Sequence, residues 1–432
     1  MTNEAGQHRG RISKTLQRGA NVALIFALAL GLEVTAIQAA QAQTYKVLHA
    51  FKGQTHGFDG SFPYLEGLIL DTAGNLYGTT RTGGHFGNGT VFKLNIKKGK
   101  ETVLYSFCGR AGCPDGAEPY AGVVLDGAGN LYGTALLGGD NACGCPVGSS
   151  GCGTVFKLTA RGRFSVLHTF SGTPDAACSI AGLTLDRRGD LYGTSTKGGT
   201  GDVGTVFKIS ESGQESVLHS FTGTPSDGGF PYAALISNPT GTLFGTTEGG
   251  GVKGAGSVFE MDRSGKESVL HSFSGPDGSD VWSGLVRDSS GNLYGTTQQG
   301  GSFSAGAVFK LDTTGTETVL YSFSGGSDGG YPDDQVVFDT SGNLYGTTLY
   351  GGTGQCSNNG FKGCGTVFKL TPGSGAWTET VLHSFKGGTD GQWPYAGLVR
   401  DAAGGLYGTT SEGGFVSGEC SGGCGTVFKA TP

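Results

Sequence analysis

Leu285-Val286-Arg287-Asp288 opens one legible unit of this chain, and Ser289-Ser290-Gly291-Asn292 follows it. Gly and Asn tolerate positive φ, so the second stretch is a tight turn. Leu293-Tyr294-Gly295-Thr296-Thr297 then reads as a second strand. A Gly-rich loop leads to a third, Gly306-Ala307-Val308-Phe309-Lys310-Leu311. Asp312 to Gly315 turn the chain again, and Glu317 to Phe323 form a fourth. β-Branched and aromatic residues fill the strands, and Gly and Asp fill the turns. The strands are lettered a, b, c and d in that order.

The same unit recurs along the chain, and the recurrence decides the fold. Tyr-Gly-Thr begins at Tyr77, Tyr132, Tyr192, Tyr294, Tyr345 and Tyr407, and Phe244 opens a seventh copy. Val-Phe ends at Phe92, Phe156, Phe207, Phe259, Phe309, Phe368 and Phe428. Val-Leu-(His or Tyr)-x-Phe starts at Val47, Val103, Val166, Val217, Val269, Val319 and Val381. Seven sets of four short antiparallel strands imply an all-β fold, a seven-bladed β-propeller. The chain opens on a lone d strand, Tyr45 to Phe51, and ends on a c strand, Gly425 to Lys429, with no d after it. The ring is therefore expected to close by pairing its first strand into the last blade, which removes two open sheet edges. The competing phase places d innermost and needs no clasp. The d–a link is mostly the longest in the unit, as a crossing from rim to centre requires, and favours a innermost.

Composition agrees. Gly supplies 85 of 432 residues without a Gly-X-Y period, which excludes collagen. Apolar residues at 36% and aromatic residues at 10% are too many for a disordered chain. A formal charge of −6 argues against nucleic-acid binding, which needs clustered Lys and Arg.

Arg9, Arg11, Lys14 and Arg18 precede an apolar run from Ala20 to Leu32, and Ala40-Gln41-Ala42 fits a small-x-small cleavage site. The run is shorter than the ~20 residues a membrane span needs. Residues 1–42 read as a secretory signal peptide, leaving a single propeller over 43–432. No second apolar stretch and no sorting tail follow. The expectation is a secreted or periplasmic monomer with no transmembrane segment.

Asp-x-x-Gly-Asn-Leu-Tyr-Gly-Thr-Thr, then Gly-Gly, then Gly-Thr-Val-Phe-Lys-Leu resembles the Gloeo/Verruco-type tandem repeat family. The unit is legible at Asp71–Leu94, Asp126–Leu158, Asp339–Leu370 and Asp401–Ala430, and degenerate at Asn238–Met261. The resemblance spans nearly all of the chain after the leader. It implies an exported bacterial protein, often with a C-terminal anchor that this sequence does not show, and it carries no activity with it. The strand layout is also similar to NHL-type propellers.

Antiparallel order sorts the loops by face. The a–b and c–d turns lie on one side and are short. The b–c and d–a loops lie on the other and vary, as binding loops on rigid scaffolds do. All ten Cys fall in this second set: Cys108, Cys113, Cys143, Cys145, Cys152, Cys178, Cys356, Cys364, Cys420 and Cys424. Disulfides are expected, with local pairs 108–113, 356–364 and 420–424. The other four pair among themselves, linking the second blade's b–c loop to Cys178. Such bridges stiffen loops rather than hold a ring. A thiolate metal site on those four is the alternative. His49, His168, His219, His271 and His383 share one position on the outer strand, with Tyr105 and Tyr321 filling it elsewhere. Packing or hydrogen bonding explains them, because a ring of metal-binding His would need outer strands to lie close together. Asp-Gly recurs in six d–a loops, at Asp59, Asp115, Asp227, Asp277, Asp328 and Asp390, with Asp175 in the seventh. These read as Asx-type turns. No cofactor is expected, and calcium is the one ion such loops would take, although they lack the clustered acids of known calcium loops.

An aromatic-Pro-aromatic motif leads into strand a. Phe62-Pro63-Tyr64, Phe230-Pro231-Tyr232 and Trp393-Pro394-Tyr395 are full versions, Tyr120 and Trp282 belong to partial ones, and the sixth blade replaces the motif with Tyr331-Pro332-Asp333-Asp334-Gln335, whose Tyr331 joins the candidate ligand-binding rings. With a innermost, these rings are expected to collar the channel mouth, where they suit stacking on sugars or on a protein. The alternative is that they fill the taper between blades. Departures from the repeat put carboxylates nearby: Glu66, Asp280, Asp333 and Asp334. Paired carboxylates suit general acid–base chemistry on a glycan. No nucleophile elbow, phosphate loop or His-based zinc motif is present. Three functions fit: a binding scaffold for an extracellular glycan or cell-surface protein, a carbohydrate hydrolase or lyase using the carboxylates, or, last, a purely structural envelope protein.

Overall fold

The structure, a computed structural model, describes residues 43–65, 67–139, 143–145, 151–358 and 360–432. The expected leader over 1–42 and Glu66 lie outside the described residues. Thr44–Pro432 forms one compact unit of seven four-stranded antiparallel sheets, each ordered a-b-c-d. In the first blade a is Ile69–Leu70, b is Asn75–Thr80, c is Thr90–Asn95 and d is Lys100–Ser106. The next five blades occupy 124–169, 184–220, 236–272, 286–322 and 337–384. The seventh takes a, b and c from Val399–Arg400, Leu406–Thr410 and Thr426–Thr431, and its d strand is Thr44–Ala50. Tyr45 faces Ala430 and Lys46 faces Lys429 in that ladder, so the expected clasp is present. Strand a is two residues long in every blade, shorter than the sequence pattern implies.

The repeated motifs are the contacts that hold blade to blade. The Phe ending each d motif is fully buried and meets the c-strand Phe of the next blade edge to face. Phe107–Phe156, Phe221–Phe259 and the clasp pair Phe51–Phe92 have centroids 5.2, 5.3 and 5.1 Å apart. Such geometry contributes about 0.5–1.5 kcal/mol beyond area burial. The Gly of Tyr-Gly-Thr makes room for this ring: a Cβ on Gly133 would sit 2.6 Å from Phe156 Cζ. The following Thr donates to a backbone carbonyl of the next blade, as Thr79 does to Ala121 and Thr194 to Ala233. The Tyr hydroxyl donates to the a–b turn Asp while a c-strand Lys lies over the ring, as in Tyr77, Asp71 and Lys93. The degenerate fourth blade loses this set as a unit, with Phe244, Asn238 and Glu260 in the three places.

Candidate functional site: the loop face and channel mouth

On the variable face, each blade adds a small ladder that joins its d–a loop to its b–c loop. Gly60–Ser61 pairs with Thr82–Gly83, and Gly228–Gly229 with Gly249–Gly250. Single bridges such as Ala117 to Leu137 and Gln392 to Glu412 do the same elsewhere. The next residue is left-handed in all seven blades: Phe62, Glu118, Cys178, Phe230, Asp280, Tyr331 and Trp393 have φ between 50 and 59°. Its N–H donates to the preceding blade and its carbonyl accepts from its own. Phe230 N donates to Val203 O at 2.7 Å, and Glu248 N donates to Phe230 O at 3.1 Å. The Pro that follows packs on the Gly before the preceding blade's c strand; a Cβ on Gly204 would meet Pro231 Cδ at 2.6 Å.

This backbone divides the aromatic collar in two. The rings before Pro pack into the wall. Phe62 lies against the first blade's core, and Trp393 is buried with Leu349 and Tyr350 beside Tyr331. The rings after Pro do gather. Tyr64 stacks on Tyr395 at 4.3 Å and meets Tyr120 at 5.2 Å, and Tyr232 stacks on Trp282 at 4.9 Å. Arg81 lies 4.9 Å over the Tyr120 ring and pairs with Glu118 at 3.0 Å. A cavity of about 160 Å³ is lined by strand a and its flanks from several blades, among them Ile69, Val124, Ala234, Asp334 and Gln335. Strand a is thus innermost.

The carboxylates do not act as one set. Asp334 is buried and accepts from the backbone of Gln335 at 2.6 Å and of Gly397 at 2.7 Å. Asp333 is only 2% exposed and accepts from Gln298 Nε2 at 2.8 Å. Burial pushes its carboxyl up to about 7, and the charge of Asp334 adds to this. Tyr64, Tyr350 and Tyr395 all feel the Asp333 charge; burial is the main cause that raises each hydroxyl. Asp280 lies in another group with Glu248 and Trp282, and burial raises both carboxyls. Arg81, Glu248, Gln298 and Tyr350 were not singled out from sequence. They stand one or two places after Tyr-Gly-Thr-Thr, where the repeat abruptly varies, and that variation is the signal that marks them.

Beyond the mouth, Phe58, Phe86, Val252, Phe303, Phe361 and Val416 are the exposed large apolar side chains among the described residues, at 37 to 67% exposure. All six belong to b–c or d–a loops. The opposite face carries Asp-x-x-Gly turns closed on themselves, as Asp339 is by Asn343.

Five disulfides use all ten Cys: 108–113, 143–152, 145–178, 356–364 and 420–424. The three local pairs are as expected, and the link to Cys178 comes from Cys145. The view that the bridges only stiffen loops needs correcting at this one. Cys178 is the left-handed residue of the third blade, so Cys145–Cys178 ties two blades together. A thiolate metal site is thereby replaced by two bridges. A cleft of about 250 Å³ beside them is lined by Ser171, Thr173, Lys197 and Asp202. Each d–a loop Asp holds the loop: Asp227 accepts from Thr222 N at 2.8 Å and contacts His219 at 3.2 Å. Asp115 accepts from Tyr105 at 2.7 Å, so His and Tyr share one role there.

These features define a repeat propeller with one built-up face. The Gloeobacter/Verrucomicrobia repeat matches residues 34–145 and 146–360, and the chain belongs to that family. No curated protein matches it. Among solved structures it is similar to an oligogalacturonate lyase from Vibrio parahaemolyticus, at 10% identity and TM-score 0.53, covering 91% of this chain and 94% of that one. A protein from Lactobacillus plantarum is similar at 17% identity and TM-score 0.47, covering 74% and 84%. At such identity these likenesses show the fold alone. The five disulfides fit an extracellular or periplasmic setting, and no helix among the described residues is long and apolar enough to cross a membrane.

Proposed function

We propose that this protein is a binding scaffold that holds an extracellular polymer, a carbohydrate first, on its loop face. One observation carries the reading: every exposed large apolar side chain among the described residues lies on that face. Arg81 and the half-buried Tyr64 and Tyr395 rings at its centre, backed by the buried Tyr120, supply stacking surface with a cation beside it, which suits sugar rings. A glycan array tests this. Binding that Phe86→Ser with Phe303→Ser or Tyr64→Ala weakens at least tenfold supports the scaffold. Binding to proteins alone replaces the carbohydrate with a protein partner.

The second reading is a hydrolase or lyase, and Asp333 favours it. A carboxyl held near 7 by burial beneath the Tyr64 and Tyr395 rings has the proton affinity a general acid needs, and at 2% exposure it meets a substrate only once those rings move aside. Asp334, committed to two backbone amides, is a poor second catalyst. Reducing-end and unsaturated-product assays on any array hit decide between the readings. Turnover abolished by Asp333→Asn with binding retained would establish the enzyme.

A further inference from the structure

One side-chain cluster recurs at the outer edge of the ring, away from the loop face's aromatic centre. A d-strand His and the Asp of the following loop meet a Glu from the next blade's d strand. The sets are His49, Asp59 and Glu101; His168, Asp175 and Glu215; His219, Asp227 and Glu267; His271, Asp277 and Glu317. In each, one potential ligand atom per residue lies within 4.8 Å of the others. Outer strands need not converge around the ring for this, because each cluster draws on only two neighbouring blades.

We propose that these four clusters are zinc sites that join adjacent blades. His Nε2 stands 3.0 to 3.2 Å from an Asp oxygen in all four. Two ligands about 2.1 Å from one zinc ion lie roughly 3.4 Å apart at the tetrahedral angle, so little movement is needed. A third donor stands nearby: Oε1 of Glu101, Glu215, Glu267 and Glu317 is buried and has no hydrogen-bond partner, and a small inward shift of the Glu side chain from within 4.8 Å completes the set. Two carboxylates facing each other beside a neutral imidazole leave a negative charge that a bound cation would offset. One nitrogen and two oxygens are too few for calcium, which takes six to eight oxygens, and they match a three-ligand zinc site with water completing it.

The rest of the ring supplies internal contrasts. Where Tyr105 stands in place of His, the facing residue is Phe164, stacked on it at 3.8 Å. Where His383 is present, Tyr45 replaces the Glu and stacks at 3.6 Å. Between the fifth and sixth blades Glu379 still faces Asp328, but the fifth blade offers Tyr321 instead of an imidazole, so no site forms there.

The test titrates zinc chloride into EDTA-stripped, dialysed protein with its disulfides intact, by calorimetry and thermal denaturation at pH 7.5. Four equivalents per chain and a higher melting temperature are expected. Glu267→Gln takes up three, and the variant with all four Glu→Gln changes takes up none with that affinity. Cobalt absorption supplies a second readout on the single variants, each losing about a quarter of the signal, in case the fourfold variant fails to fold. No uptake by the wild-type chain, or uptake that these changes leave untouched, overturns the proposal. So does stability that follows pH but ignores zinc, because the clusters would then be sharing protons.

Discussion

Replacing Asp333 with Asn removes a charge while keeping the side chain's shape and its acceptor for Gln298. The carboxyl lies near 7 in the folded protein against 3.8 ordinarily. At about 1.4 kcal/mol per pH unit, ionising it in place costs on the order of 4 kcal/mol, a ceiling that local relaxation and water will lower. The pH window follows from the sign. Below 3.8 both folded and unfolded chains hold the proton, and the site contributes nothing. Between 3.8 and about 7 only the folded chain holds it, so stability falls as pH rises. Above 7 the full cost is present. Gln298, Asp334, Tyr64, Tyr350 and Tyr395 are the polar groups facing it, and only Asp334 is also acidic. Asp333→Asn is therefore expected to stabilise the protein by roughly 2–4 kcal/mol at pH 8 and by almost nothing at pH 4. Guanidinium unfolding at the two pH values measures this. An equal effect at both, or a variant weaker at pH 8, would refute the account of a carboxyl held neutral by burial.

Cys145→Ser with Cys178→Ser opens a loop spanning 33 positions. Chain entropy then predicts a loss of about 3–4 kcal/mol by denaturant unfolding, larger than for any local pair. Phe107→Ala removes one inter-blade edge-to-face contact and should cost about 3–5 kcal/mol; a loss under 1 kcal/mol would mean the interface is not packed as described. Asp71 is raised by its partial burial, yet the hydrogen bonds from Asn75 and Tyr77 outweigh this and hold it below 3.8. Asp71→Asn should lower the melting temperature at pH 6, and the gap should close as pH falls toward 2, where the wild-type carboxyl gains its proton too. A gap that persists in acid would place the effect in packing.

Blade number, strand order, ring closure and most of the cysteine pairing were legible because seven copies fix each position by agreement. Phe92 or Gly78 alone says little; the same residue at the same place in every unit points to a contact made seven times. The small ladders between loops were not legible, since pairs such as Gly228–Gly229 carry no alternating pattern. The split of the collar was hidden for a related reason. A left-handed backbone at Phe62, Cys178 or Asp280 has no single residue type to announce it, so Phe62 and Tyr64 looked equivalent although one lines the wall and the other the mouth. The outer clusters escaped because each needs residues from two units, and reading one unit at a time separates His219 from Glu267.

The pairing of Thr44–Ala50 with Thr426–Thr431 has a kinetic consequence. A chain emerging with its amino end first must keep that leading segment waiting until nearly 400 further residues have appeared. Its partner is made far later, and the closing step joins two segments very distant along the polypeptide. Contacts of such long range form slowly. The closing blade thus forms only after Thr426–Thr431 has been made, since a product cut short before it lacks the surface on which Thr44–Ala50 settles.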